Sequence, residues 1–257
     1  MSSLPRLAGF VTRHPLISFF LFAYLFSWVS FFALGGPFLF PFGSIVAAIV
    51  VAYVSGGKKA LRDLLERCTR WRVSWIWYVL ALVVPIVLGV GAIYLVVAVN
   101  RAEPPPFAAP GAAMLLLFPM AVVDAPLWED AGWRGFAMPR FPANRSRVAN
   151  TATLGLLLAG WHLPIALSGG PVAAPYVITT FLSAFVTNWI YYNSRQSALL
   201  TIIYHGAANA LGAALFQGHP EQVLVWLYWG LAATNLAATI LILALGANTW
   251  FSKAQHS

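Results

Sequence analysis

Three short stretches of this chain set ionisable or amide side chains inside otherwise apolar runs. The first reads Asp124-Ala-Pro-Leu-Trp-Glu129-Asp130-Ala-Gly-Trp-Arg134-Gly, the second Leu158-Ala-Gly-Trp-His162-Leu-Pro164, and the third Tyr204-His205-Gly-Ala-Ala-Asn209. An ionisable group within a bilayer costs about 2.5 to 3.5 kcal/mol on insertion scales, so each one needs a partner or a purpose. On a helix, Asp130 and Arg134 share a face, where carboxylate and guanidinium can pair. Glu129 sits about 100° around from Asp130 and has no partner at helical spacing, which leaves it free to act on something else. His205 and Asn209 also share a face, and the small residues Gly206, Ala207 and Ala208 between them let another helix or a substrate approach.

A carboxylate beside imidazoles in a low-dielectric cavity is suited to general-base activation of water. His and Asn side chains can donate hydrogen bonds to a developing oxyanion. The reaction class these groups suit is hydrolysis of an acyl bond, with a peptide bond the leading case. No serine nucleophile pattern is present, and the single cysteine, Cys68, reads as a bystander, which argues against a covalent acyl-enzyme. The alternative assembly is metal-assisted, with Glu129, His162 and His205 forming a His/His/carboxylate set of the type that holds Zn2+ with an open position. Spacing does not decide between the two, and the short HExxH signature that marks zinc is absent. A lone intramembrane His or Asn often serves only to bond helices together, and Asn188, Asn193 and Asn235 read either that way or as interfacial residues. Asp124 either supports the neighbouring carboxylates or faces a watery cavity, and Pro119 and Pro126 read as helix kinks.

The elements that must position these groups are membrane helices. Of the 257 residues, 60% are hydrophobic and only 9% charged, against roughly 45 to 50% and about 25% in a soluble domain. An exterior built from the same Leu, Val, Ile and Phe as the interior suits lipid and excludes an ordinary soluble fold. The net charge of +8 does not indicate nucleic acid, because the basic residues are scattered among short loops.

Apolar runs near the roughly 20 residues that cross a bilayer lie at 16–34, 38–55, 75–99, 111–130, 148–168, 174–193, 197–216 and 223–245. The expected architecture is an all-α, polytopic bundle of about eight transmembrane helices. It forms a single membrane domain over residues 1–257, with a motif-bearing core at about 111–216. The run from Leu16 to Leu34, preceded by Arg6 and Arg13, reads as a retained first span rather than a signal peptide. With both termini cytoplasmic, every one of the 15 Lys and Arg residues except Arg101 falls on the inner side, as the positive-inside rule requires. The stretch Lys58 to Arg72 is expected as a solvated basic loop or as a short surface helix with Leu61, Leu64 and Leu65 on one face. Glu129 and His162 would lie at different depths unless the fourth helix continues to about Met138.

The three motifs resemble those of the CPBP intramembrane proteases, also called Abi or the CAAX-protease and bacteriocin-processing family. That family includes the eukaryotic enzyme that removes the last three residues of prenylated CAAX proteins. Its usual patterns are EExxxR, FxxxH and HxxxN, against Glu129-Asp130-Ala-Gly-Trp-Arg134, Leu158-x-x-x-His162 and His205-x-x-x-Asn209 here. The resemblance implies a multi-pass intramembrane endopeptidase in a bacterial-type plasma membrane, acting on a membrane-associated or lipidated peptide or protein. It implies that Glu129 with His162 activates the attacking water, that His205 and Asn209 stabilise the oxyanion, and that Asp130 pairs with Arg134. A metal-free glutamate mechanism is favoured, with Zn2+ as the alternative. Asp130 stands where the family has a second Glu and Leu158 where it has Phe, and neither departure removes a group the chemistry needs. A catalytically silent scaffold or bacteriocin-immunity protein using the same cavity is the other reading. A transporter is disfavoured by the lack of detectable internal repeats.

Overall fold

Apolar composition with proline and glycine punctuation dictates helices and little else. In the computed structural model, which describes residues 3–35, 39–100, 111–216 and 219–252, every regular element is helical. Helix α1 (Ser3–Arg13) lies before α2 (Pro15–Phe32), which starts on Pro15 because a missing N–H costs nothing in a first helical turn. Helix α3 (Phe42–Cys68) follows, then α4 (Trp75–Asn100) and α5 (Gly111–Asp124). Next come α6 (Pro126–Asp130), a π-helical segment (Ala131–Ala137) and a 3-10 turn (Met138–Arg140). The chain continues through α7 (Arg147–Trp161), α8 (Leu163–Ser168), α9 (Ala173–Asn193), α10 (Ala198–Phe216), α11 (Glu221–Leu245) and α12 (Ala247–Trp250).

Among the described residues, five stretches are long and apolar enough to cross a membrane: Pro15–Phe32, Phe42–Cys68, Trp75–Asn100, Gly170–Asn193 and Glu221–Leu245. A shorter apolar helix covers Ala198–Ala214. Large apolar side chains stay on the outside of these helices, among them Leu21 at 58%, Val87 at 60% and Ile240 at 59% exposure. That exterior suits acyl chains rather than water, and the chain is an integral membrane protein.

Two of the runs read as single spans are broken instead. Helix α5 stops at Asp124, Ala125 leaves helical geometry (φ −137°, ψ −51°), and Pro126 opens α6. Proline cannot donate to a preceding turn, so Pro126 accounts for the break directly. The helical path does run on past Met138, but as three short pieces rather than as a continuation of α5. Helix α7 likewise ends at Trp161, with His162 (φ −79°, ψ −7°) between it and α8 and with Pro164 in the first turn of α8.

The basic stretch after residue 57 also differs from the solvated loop. It is the second half of α3, bent at Gly57 (φ 60°), where only a residue without Cβ adopts the backbone comfortably. On it Leu61, Leu64 and Leu65 fall on one side at helical spacing, with Leu64 buried and Leu65 exposed. Arg134, read also as an inner-loop cation, is buried at 4% exposure and serves the interior instead. Residues 36–38, 101–110, 217–218 and 253–257, which include Gly36, Pro37, Arg101, Gln217 and Lys253, lie outside the described residues.

Packing divides into two main clusters. One joins α2, α3, the π segment and α7 around Phe19, Trp133, Phe136 and Trp161. The other joins α4, α9 and α10 around Ala81, Ile190, Leu200 and Tyr204. The polar motifs lie where the elements of these two clusters meet.

Candidate active site

The π-helical segment is held against α3 by a close crossing. A Cβ built on Gly132 would stand 2.7 Å from Ser44 Cβ and 2.9 Å from the Ser44 carbonyl carbon and oxygen. Ser44 Oγ then donates to the carbonyl oxygen of Trp128 (2.9 Å), the residue before Glu129. Widened π turns recur at functional sites because they re-aim side chains that a regular α-helix would place elsewhere. The backbone contact leaves no flexible atom to yield, so Gly132→Ala is expected to destabilise the protein by about 1 to 3 kcal/mol and to lower activity by displacing Glu129. Thermal unfolding in detergent together with turnover checks this.

At the end of α6, just before that segment, Asp130 is fully buried, and both of its oxygens are committed. Arg134 Nη1 donates to Oδ1 (2.8 Å) and His205 Nδ1 to Oδ2 (2.7 Å). Arg134 Nε donates to Asn188 Oδ1 (3.2 Å), and Asn188 Nδ2 in turn donates to Thr151 Oγ1 (3.1 Å). The π segment, α7, α9 and α10 are thereby tied into one polar network. Asn188 is the interhelical bond its sequence position suggested, placed directly behind the motif arginine.

The break after α7 aims His162. Its backbone N–H and its Nδ1 both reach the carbonyl of Leu158, at 3.1 and 2.9 Å. A carbonyl only accepts, so Nδ1 carries a proton and Nε2 is the free nitrogen. The interrupted helix end is capped from α2: Trp28 Nε1 donates to the Trp161 carbonyl (2.9 Å), and Tyr24 donates its hydroxyl to the Leu157 carbonyl. The Trp161 and Tyr176 rings meet the imidazole edge to face, at 4.6 and 5.7 Å. Helix α10 approaches α5 closely at Gly206, where a Cβ would lie 2.3 Å from Val122 Cγ2, and this crossing sets the depth of His205.

Glu129, Asp130, Arg134, His162, His205 and Asn209 all line one cavity of about 480 Å³. Asp124 also lines it, from the exposed end of α5. Glu129 is 5% exposed, and among the described residues its carboxylate holds no hydrogen bond or ion pair, whereas Asp130 beside it is saturated. The cavity therefore contains two carboxylates without a hydrogen bond or ion pair among the described residues, buried Glu129 and exposed Asp124, together with two imidazoles whose Nδ1 atoms are already engaged. Among the described residues no three His, Cys, Asp or Glu side chains are grouped so as to hold a metal ion.

Several cavity residues were not singled out from the sequence. The largest group is a polar stripe on α9, comprising Tyr176, Thr180, Ser183 and Thr187, with Thr179 beside it. Its signal was present as a helical-period repeat of hydroxyls within an apolar span. Asn193 and Asn235 each donate an amide N–H to a carbonyl of their own helix, Trp189 and Leu231 respectively; Asn193 is exposed at the end of α9, as an interfacial residue would be, whereas Asn235 is buried without a bond to another helix among the described residues.

Residues 111–211 match the family model of the Rce1-like type II CAAX prenyl endopeptidases. No curated protein matches the chain. The matched segment runs from α5 into α10 and contains all six motif side chains of the cavity. Over this segment the chain is similar to the CAAX-protease family that its motifs resemble.

Proposed function

We propose that the protein is an intramembrane endopeptidase that hydrolyses a peptide bond in a membrane-associated or lipidated peptide or protein, using a water activated by Glu129. The observation that carries this reading is the buried, uncommitted Glu129 carboxylate in one cavity with His162, His205 and Asn209. Glu129 takes a proton from water as the oxygen attacks the scissile carbonyl carbon, and returns it to the departing amine nitrogen as the C–N bond breaks. Nε2 of His162 accepts the second hydrogen of that water, since its Nδ1 proton is spent on Leu158. His205 and Asn209 bind the oxyanion. A second proton on His205 gives an Nε2 donor, and the resulting charge rests against Asp130. Arg134 balances Asp130 in turn and is a positioning residue. No metal enters this scheme.

In the same reading the helices cross the membrane about eight times with both termini in the cytoplasm, in a bacterial-type plasma membrane, because that arrangement keeps the basic loops inside. Substrates then reach the site already anchored in the lipid, which concentrates them near the cavity.

The test is incubation of purified protein in detergent with prenylated and unprenylated membrane-anchored reporter peptides, with products read by mass spectrometry. Cleavage at one bond, gaining the elements of water and unchanged by a strong zinc chelator, is the expected outcome. Intact reporters throughout would sink the protease reading in favour of a binding scaffold, and loss of cleavage on chelation would replace the glutamate mechanism with a metal one.

A further inference from the structure

The side of the cavity formed by α9 and α11 carries four Ser and Thr hydroxyls beside the phenols of Tyr176 and Tyr228. Each of the four has its hydrogen engaged by a backbone carbonyl: Thr179 donates to Tyr228 (3.3 Å), Thr180 to Tyr176 (3.0 Å), Ser183 to Thr180 (3.0 Å) and Thr187 to Ser183 (2.8 Å). These four offer the cavity only oxygen lone pairs. Asn235 on α11 completes this wall. Its Nδ2 donates to Leu231 (2.9 Å), and because a carbonyl cannot donate, the opposite atom is fixed as Oδ1. That Oδ1 is buried without a hydrogen-bond partner, on a residue 4% exposed that lines the cavity. A buried acceptor left unpaired costs about 1 to 3 kcal/mol, which a ligand with a matching donor recovers.

An extended peptide in an apolar cavity needs such acceptors, because each of its backbone N–H groups loses water on entry. Resting on the protease reading above, we propose that Asn235 is a substrate-positioning residue whose Oδ1 accepts one backbone N–H of the bound peptide. The α9 hydroxyl oxygens supply further acceptors along the same wall. The site thus divides between donors for the oxyanion on α10 and acceptors for the peptide amides on α9 and α11. Asn235 lies beyond the segment 111–211 that matches the family model, so this half of the recognition is supplied by a part of the chain outside that match.

The experiment uses the full-length protein and a reporter series carrying a single backbone N-methyl group at successive positions. Affinity is measured in the non-turnover Glu129→Gln protein, with and without Asn235→Leu, and KM and kcat in the wild type and in Asn235→Leu alone. One N-methyl position is expected to weaken binding about tenfold when Asn235 is present and to have no further effect in Asn235→Leu. Asn235→Leu itself raises KM about tenfold with kcat within about twofold. Binding indifferent to methylation at every position overturns the proposal. So does a methylation penalty that persists in Asn235→Leu, or a fall in kcat at unchanged KM. Position-dependent binding without any cleavage by the wild type would instead remove the protease reading and leave this contact standing.

Discussion

Glu129→Gln is expected to lower kcat by about 10²- to 10⁴-fold while leaving KM within about twofold. Gln keeps the volume and planar shape of the side chain, and no hydrogen bond to the Glu129 carboxylate exists among the described residues to be lost. What disappears is the base that takes the proton of the attacking water. Stability should move in the opposite direction. Removing an unpaired carboxylate from a site 5% exposed relieves a desolvation cost, so the variant unfolds at an equal or higher temperature than the wild type. A loss of activity accompanied by no loss of stability separates a chemical role from a structural one. Turnover and thermal unfolding on the same preparation read both quantities.

The second large effect is expected at Asp130. Asp130→Asn keeps the shape but withdraws the counter-charge from Arg134, whose guanidinium is buried and whose other side-chain partner among the described residues, Asn188, is neutral. Removing one member of a buried ion pair costs about 3 to 5 kcal/mol, far above the effect of a surface pair. The amide then has one oxygen to offer. If it serves Arg134, the Nδ2 group faces His205 Nδ1, which must accept rather than donate, and the imidazole changes tautomer. Activity per folded molecule is expected to fall by about 10²-fold or more, since a misoriented imidazole no longer presents the required atom to the oxyanion. Unfolding in detergent reads the stability loss, and kcat on the monodisperse fraction reads the rest. A variant with wild-type stability and turnover would show that Asp130 neither balances Arg134 nor orients His205.

Much of this site was legible in the linear chain because its groups are expensive in lipid. Glu129, Asp130, Arg134, His162, His205 and Asn209 stand out once the surrounding runs are read as membrane helices, and the i, i+4 spacing anticipates the Asp130–Arg134 contact. The Asp130–His205 bond could not be read, since the two residues are 75 positions apart and only the packing of α10 against the π segment joins them. Periodicity also failed where proline overrode it. Hydropathy is continuous across Ala125 and His162, so the runs looked like single spans, yet the absent N–H groups of Pro126 and Pro164 break the ladder there. In the proposed mechanism both breaks serve the site, because one re-aims Glu129 and the other releases His162 to bond its own helix end. The acceptor wall on α9 was missed for a different reason. Ser and Thr satisfy their hydrogens on their own helix and carry little hydropathy signal, so they read as ordinary membrane-helix residues.

The most direct measurement compares wild-type protein, wild-type protein stripped with a strong zinc chelator, and Glu129→Gln, all on one cleavable membrane-anchored reporter under single-turnover conditions. Equal cleavage by the first two, with the third bound to the reporter but about 10²-fold or more slower, is the result expected for a glutamate-activated water. Cleavage by Glu129→Gln at the wild-type rate would contradict the assignment of Glu129 as the base.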